Sequence, residues 1–467
     1  MDIEHESQWA DRKSLRKVVG ATADFAELAK DCVCFANAAG GTLFIGIEDK
    51  ATAPVAGQRI EPALLDRIRK RVGELTINVQ ALPEIKTHKN GGQYIALRVP
   101  RSVGAASTSD GRYFLRVGDT CRPILGDDVL RLAAERPATP WEYMTSLGIP
   151  KTHADKAKAA QLCTALRASD RVKPSVKEKT NGELLAHYSI SIGALLTNLG
   201  ILLVGKARER SLLGSAPIVQ AVKYDDKMMK VAKWNWDDHQ LSPVELVNAI
   251  WGEIPEFRES YELPDGLFRS QVPVFEKAVI RELLVNALVH RPYTQRGDIF
   301  ISLHPDYLEI VNPGRLPIGI TPRNILHTSS RRNDGLARIF HDIHLMEREG
   351  SGIVLLFERL LTGGRKAPEI TEGPDHVRVR VTKRILQPNV IHLLKETGQQ
   401  LLQRERIVLA LVAQNNGVSA SALVKQLELD GVASLKHWIG DLLKVGLVEQ
   451  TGAARGRRYF LRGTRLT

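Results

Sequence analysis

The sequence predicts an α+β chain of several domains. Three observations carry this. The 467 residues exceed what one hydrophobic core spans, so two to four domains are expected. Apolar residues recur at three-and-four spacing in some stretches and alternate in others, so helices and strands are both present. Finally, "ERPATPWEY" near residue 135 and Pro388 interrupt the patterned stretches, as prolines do at element and domain ends. The expected units are 1–135, a connecting module 136–239, a second α+β unit 240–390, and a small C-terminal domain 400–467.

Residues 22–38 form the first predicted helix, with Phe25, Leu28, Ala29, Cys32, Phe35 and Ala36 on one face. Gly40 and Gly41 stop it, because glycine accepts the backbone conformation that follows a helix. "TLFIGIE" is then a strand. A helix at 61–74 and strands near 93–100 and 112–117 complete the unit. In the connecting module a basic helical stretch precedes "LLTNLGILLVG". There "GILLVGKA" (200–207) approaches the phosphate-loop pattern, but "ILLV" has the character of a buried strand and Ala207 stands where a magnesium-binding hydroxyl is needed. It is rejected as a nucleotide site. In the second unit "EKAVIRELLVNALVHR" is an amphipathic helix, and "GDIFISLHPDYLEIVNPG" is a β-hairpin turning at "HPDY".

Composition narrows the function classes. Apolar residues at 43% and charged residues at 25% are an ordinary soluble balance. No apolar run approaches the roughly 20 residues of a membrane helix, and the charged start "MDIEHESQWADRKS" has no secretory h-region. A cytoplasmic protein without membrane association is expected. Cys32, Cys34, Cys121 and Cys163 are scattered; they read as small core residues, with neither disulfides nor a zinc site expected. The net charge of +12 favours a polyanionic partner.

The richest pattern lies in the second unit. Glu282, Asn286 and His290 recur every fourth residue of one helix, so they share a face. A solvated polar stripe would read the same way. Downstream come "EIVNPGRLPIGIT" (309–321) and "EREGSGIVLLFERL" (347–360). The order of E-x-x-x-N-A helix, hairpin, Asn-Pro-Gly and Gly-Ser-Gly resembles the GHKL (Bergerat-type) α/β sandwich, in the divergent form found in RecG-related proteins. The resemblance implies ATP and Mg²⁺ as cofactors. It implies that Asn286 completes the magnesium shell, that Glu282 activates water, and that Gly350, Ser351 and Gly352 open a phosphate-facing helix start. His290 and Gly314 belong to the same implied site. Asn312 stands where the family has an aspartate for the adenine amino group; its amide oxygen can accept that bond without the charge. A structural or vestigial nucleotide site stays open. No helicase motor motif accompanies it.

In the first unit, "ESQWADRKS" (6–14), "FANAAGGTLFIGIEDK" (35–50) and "YFLRVGDTCRP" (113–123) resemble the Schlafen AlbA-2 domain, also called divergent AAA-4. Schlafens that cut tRNA carry two early acids five apart and a third in the loop after the glycine strand. Glu6, Asp11 and Asp49 occupy those positions, Asp11 being one methylene shorter than the usual glutamate. The resemblance implies a Mg²⁺ or Mn²⁺ site for phosphodiester cleavage; three surface acids on a domain that only binds nucleic acid is the alternative. Arg12, Lys13, Arg116 and Arg122 are candidate phosphate contacts under both.

Residues 404–463 read as a winged helix. "RERIVLALVAQNNG" is the first helix, Ser419 caps the second, "VASLKHWIGDLLKVGLVE" holds the recognition helix, and "EQTGAARGRRYFL" makes the wing. Ser434, Lys436, His437, Arg457 and Arg458 are candidate DNA contacts, with a protein partner as the alternative. The expected function is an ATP-responsive nucleic-acid-binding protein, a DNA-binding regulator. The rival is a metal-dependent nuclease acting on tRNA, other RNA or DNA, in the manner of an anti-phage effector. A homo-oligomer is compatible with both.

Overall fold

The computed structural model describes the chain except residues 1–6, 49–50, 135–139, 266–267, 323, 328–330, 348–350, 388–389, 392–400, 416, 428, 430, 453–455 and 463–467. Of 134, 263–265, 268–270 and 351 only the backbone is described. The chain divides into two compact units, Met1–Pro140 with Pro317–Ile320, and Trp141–Leu316 with Thr321–Thr467.

In the first unit a four-stranded sheet is built from β1 (Ala10–Lys13), β2 (Gly41–Ile45), β3 (Leu82–Thr87) and β4 (Gln93–Val99), in the order β1-β2-β4-β3. Strands β1 and β2 are parallel, with Asp11 opposite Leu43; the other pairs are antiparallel. Helices α1 (Phe25–Asn37) and α2 (Ala63–Leu75) supply Leu28, Cys32, Phe35, Ile68 and Val72 to a core shared with Leu43, Ile45, Ile95 and Leu97. Asp24 starts α1 by accepting from the Glu27 N–H at 2.9 Å. At its end Gly40 adopts φ +82°. A side chain on Gly41 would collide with the Phe35 ring and lie 2.7 Å from the Trp9 carbonyl oxygen. The paired glycines thus let the returning strand lie directly on the helix it has just left. A hairpin of β5 (Tyr113–Val117) and β6 (Thr120–Ile124) packs beside α1.

One expectation is corrected here. Cys34 of α1 and Cys121 of β6 form a disulfide, with Cα atoms 5.8 Å apart across 87 residues of sequence. Spacing along the chain carried no sign of it, because only the packing of the hairpin on α1 brings the two together. Cys32 and Cys163 are free and buried.

The second unit centres on a six-stranded sheet. Its strands are β7 (Val219–Tyr224), β8 (Lys230–Trp236), β9 (Ile299–Leu303), β10 (Tyr307–Pro313), β11 (Glu369–Glu372) and β12 (His376–Thr382), in the order β8-β7-β9-β10-β12-β11. Strands β7 and β9 are parallel and the other neighbours antiparallel. The stretch read as a connecting module thus contributes two strands to this sheet. Its "NLGILLV" is a helix, α3 (Asn198–Val204), rather than a strand; Thr197 caps it through the Gly200 N–H and all seven residues are buried. A segment buried on every side lacks the periodicity that separates helix from strand. Helix α4 (Lys277–His290) packs on the sheet beside β10. Helices α5 (Asp334–Asp342) and α6 (Ser351–Thr362) pack against α4.

The C-terminal module within this unit comprises α7 (Gln403–Gln414), α8 (Ala420–Gln426) and α9 (Val432–Lys444). A three-stranded sheet joins Val418–Ser419, Val448–Thr451 and Arg458–Leu461, with the last in the middle. Ser419 starts α8 by accepting from the Ala422 N–H at 3.1 Å. No helix among the described residues is long and apolar enough to cross a membrane.

Candidate nucleotide and nucleic-acid sites

Helix α4 buries Glu282 on its polar face and leaves Asn286 and His290 half-buried. Glu282 is 2% exposed. Asn286 Nδ2 donates to Glu282 Oε1 at 2.9 Å. A carboxylate only accepts, so this bond fixes the amide with its Oδ1 turned away from Glu282. A carbonyl-type oxygen of this kind is the ligand a hard divalent ion takes. Burial pushes the Glu282 carboxyl up to about 7, against the lowering effect of the Asn286 bond and of Arg281. A group so placed can hold or release a proton near neutrality, which suits a general base.

The start of α6 closes over this carboxylate. A methyl group at Gly352 would overlap Glu282 Oε1 and lie 2.8 Å from its carboxyl carbon. Gly352 is therefore what allows the helix start to approach Glu282. Gly350 and the Ser351 side chain lie outside the described residues.

One turn beyond Asn286, His290 meets cationic surroundings. Its pKa is pushed down to about 4, first by burial and then by Arg332 and Arg331. Arg332 Nη1 donates to the His290 carbonyl oxygen at 2.8 Å. Asn333 Nδ2 donates to the carbonyl oxygens of Val289 and Arg291, both at 2.7 Å. These bonds satisfy the open end of α4 and clamp the segment before α5 onto it. Neither Arg332 nor Asn333 was singled out from sequence; the "RRND" stretch carries no periodic signal.

The Asn-Pro-Gly turn docks at the same helix end. Gly314 has φ +82°, and a side chain there would strike Pro292. Asn312 lies opposite Val377 on β10. Its Oδ1 is buried and has no hydrogen-bond partner among the described residues. A buried acceptor left without a donor is costly, and an exocyclic amino group is the donor such a position fits. The residues present fit a nucleotide: a buried acceptor at Asn312, an amide at Asn286 held by Glu282, and a glycine at the start of α6.

The first unit departs from its sequence reading. Asp11 is largely buried and committed to cations of its own. Its Oδ1 accepts from the Arg12 N–H at 2.8 Å, and its Oδ2 lies 3.3 Å from Lys13 Nζ and 3.4 Å from Arg116 Nη1. Lys13 also reaches Asp31 Oδ2 at 3.1 Å. Burial opposes the charge on Lys13, but Asp31 and Asp11 together raise its pKa. Burial pushes the Asp31 carboxyl up. Asp31 escaped notice in sequence because it sits within the helical stretch that supplies the core. Glu6 and Asp49, the other two candidate carboxylates, lie outside the described residues. Among the described residues no group of three or more His, Cys, Asp or Glu side chains could hold a metal ion.

Arg116 and Arg12 are corrected as free phosphate contacts. Arg116 is 1% exposed; it donates to the carbonyl oxygens of Ser7 (2.9 Å) and Ala10 (3.0 Å) and lies over the Phe35 ring. Arg12 is buried and donates to the Ala51 carbonyl oxygen at 2.7 Å. Both tie the domain's start to its core, since a planar guanidinium can serve several carbonyls at once. Arg122 is exposed, as a phosphate contact requires.

On the C-terminal module Lys436 and His437 are exposed along α9, and Ser434 is half-buried near its start. Arg458 is exposed, with Nη1 donating to the Gly417 carbonyl oxygen at 2.9 Å. Arg457 is half-buried. The tip between Arg458 and Thr451 falls partly outside the described residues.

Residues 3–125 match the family described as "Schlafen, AlbA_2". Residues 297–381 match the one described as "Putative ATP-dependent DNA helicase recG C-terminal", a HATPase family. The chain carries both domains. The HATPase match begins after α4; Glu282 meets the matched span through Gly352, and Asn286 joins it only through its bond to Glu282. No curated protein matches the chain. Among solved structures, the crystal structure of the DIP2311 protein from Corynebacterium diphtheriae is similar, with a TM-score of 0.59 and 20% identity over 97% of this chain and 92% of that one. At that identity the likeness is one of fold. The Schlafen AlbA_2 domain associates the chain with nucleic acid, and the HATPase domain with nucleotide.

Proposed function

We propose that this protein is an ATP-responsive, DNA-binding regulator. The observation that carries the reading is the buried Glu282 carboxylate, held by the Asn286 amide beneath the Gly352 end of α6. ATP with Mg²⁺ would sit there, the metal steadying phosphate charge. Asn286 would hold the metal through Oδ1, Glu282 would hold a proton near neutral pH, and Asn312 would accept from the base. Helix α9 with exposed Lys436 and His437, following the capped α8, supports a winged helix on duplex DNA. The Schlafen AlbA_2 domain adds a second nucleic-acid contact in which Arg122 takes part.

The geometry at Asp11 favours binding over cleavage. A divalent ion on that carboxylate would have to displace Lys13 or sit against Arg116, and like charges so close are repelled.

The test is direct. Titration of the full chain with ATP and Mg²⁺ should show binding, weakened at least tenfold in Asn286→Ala. No binding at millimolar ATP refutes the nucleotide site. Incubation with tRNA, single-stranded RNA and DNA in Mn²⁺ should give no cleavage above that of Asp49→Ala. Cleavage by the parent protein alone would establish the nuclease instead.

A further inference from the structure

Helix α6 has two ends with different company. Its start lies on Glu282 through Gly352. Its middle and far end are built into the C-terminal module. Glu358, 5% exposed, pairs with Arg406 at 2.8 Å and accepts from Gln403 Nε2 at 2.8 Å. Leu361, 1% exposed, packs in one core with Ile407, Leu411, Leu423 and Ile439, with Val354 and Phe357 beside it. Gln414 Nε2 donates to the carbonyl oxygens of Leu361 (3.3 Å) and Arg365 (2.7 Å). Helix α7 is thus fastened to α6 at both of its own ends.

A second connection arrives from elsewhere. His327 follows the loop that leaves the Gly314 turn. Its Nε2 donates to the Leu427 carbonyl oxygen at 2.8 Å, and its ring meets Trp438 edge-on at 6.1 Å. Leu427 ends α8 and Trp438 lies on α9, so His327 bears on the joint between the two helices. Two segments that flank the nucleotide site therefore reach the module on separate surfaces.

We propose that α6, assisted by His327, transmits occupancy of the nucleotide site to the C-terminal helices, so that nucleotide and the module's ligand influence each other's binding. This rests on the nucleotide reading given above. The physical step is a shear. Phosphate drawn to the backbone N–H groups at the start of α6 must share space with Glu282, against which Gly352 is already in contact. The helix shifts as a rigid rod of about 18 Å, twelve residues at 1.5 Å each. Parting Glu358 from Arg406 would strand a buried charge, so α7 follows α6 instead. Packed interfaces respond to such small shifts by moving between discrete arrangements. Linkage makes the effect reciprocal.

The experiment is hydrogen exchange on the full chain with and without millimolar ATP and Mg²⁺. Protection is expected at Lys277–His290, and also a change of roughly fivefold or more in exchange at Gln403–Gln414 and Val432–Lys444, the low end of ordinary coupling. The paired variant Glu358→Gln with Arg406→Met removes the ion pair without leaving either charge alone. It should keep ATP affinity within about twofold while losing most of the distant change. Protection at Lys277–His290 with no change in the C-terminal helices overturns the coupling and leaves the nucleotide site standing. An undiminished distant change in the paired variant overturns the role of α6. No protection anywhere overturns the nucleotide reading, and the coupling with it.

Discussion

Replacing Glu282 by glutamine should stabilise the protein at neutral and alkaline pH. The carboxyl is buried and its pKa is pushed from an ordinary 4.5 up to about 7. The folded protein thus holds this proton more tightly than the unfolded chain. Between pH of about 4.5 and about 7 the native state binds more protons, so stability falls as pH rises and levels off above that window. Each tenfold change in proton affinity is worth about 1.4 kcal/mol, so the ionised carboxylate costs about 3 kcal/mol once the window is passed. Glutamine keeps an oxygen for the Asn286 amide and carries no charge. Urea unfolding should therefore show Glu282→Gln more stable than the parent by up to about 3 kcal/mol near pH 8, and nearly equal to it near pH 4. A second buried glutamate contributes a similar slope. Glu142 accepts from the N–H groups of Gly335 and Leu336, and burial raises its pKa to about 7. The variant should therefore keep part of the parent's pH dependence, and Glu142→Gln should remove another part. Parallel pH profiles for Glu282→Gln and the parent would refute the buried environment assigned to Glu282.

Other outcomes follow from the same geometry. Gly352→Ala should destabilise the fold by about 1–3 kcal/mol, and ATP affinity should fall with it, because Asn286 prevents Glu282 from swinging aside; urea midpoints and an ATP titration read both. Cys34→Ser should cost about 2–4 kcal/mol, matching the effect of reductant on the parent. A parent whose melting temperature ignores reductant would argue against the Cys34–Cys121 bridge. Lys436→Ala should weaken DNA binding across sequences and reduce the slope of log K against log salt by about one. An unchanged slope would turn α9 toward a protein partner.

The elements with strong period were legible in the sequence. The helix over 25–37, its glycine stop, the hairpin of β9 and β10, and the Ser419 cap all follow from residues within a few positions of one another. The polar face of α4 was legible too, because Glu282, Asn286 and His290 repeat every fourth residue. What failed was the company those residues keep. Arg116 reads as a surface cation in "YFLRVGD", yet it is spent on Ser7 and Ala10, more than a hundred residues away. Asp11 reads as a metal ligand, yet Lys13 and Arg116 already neutralise it. The buried helix at 198–204 gave no period to read at all.

Sequence alone therefore determined two patterns, those of the Schlafen AlbA_2 and HATPase-type domains, and the polar face of α4. Both are properties of near neighbours, set by helical and strand repeat. Tertiary structure alone decided that Gly352 meets Glu282, that Asn312 keeps a buried acceptor open, that Lys13 bridges two aspartates, and that Cys34 finds Cys121. Each is a contact between segments far apart in the chain. Its chemistry depends on burial and on the charge brought opposite, and neither exists until the chain has folded.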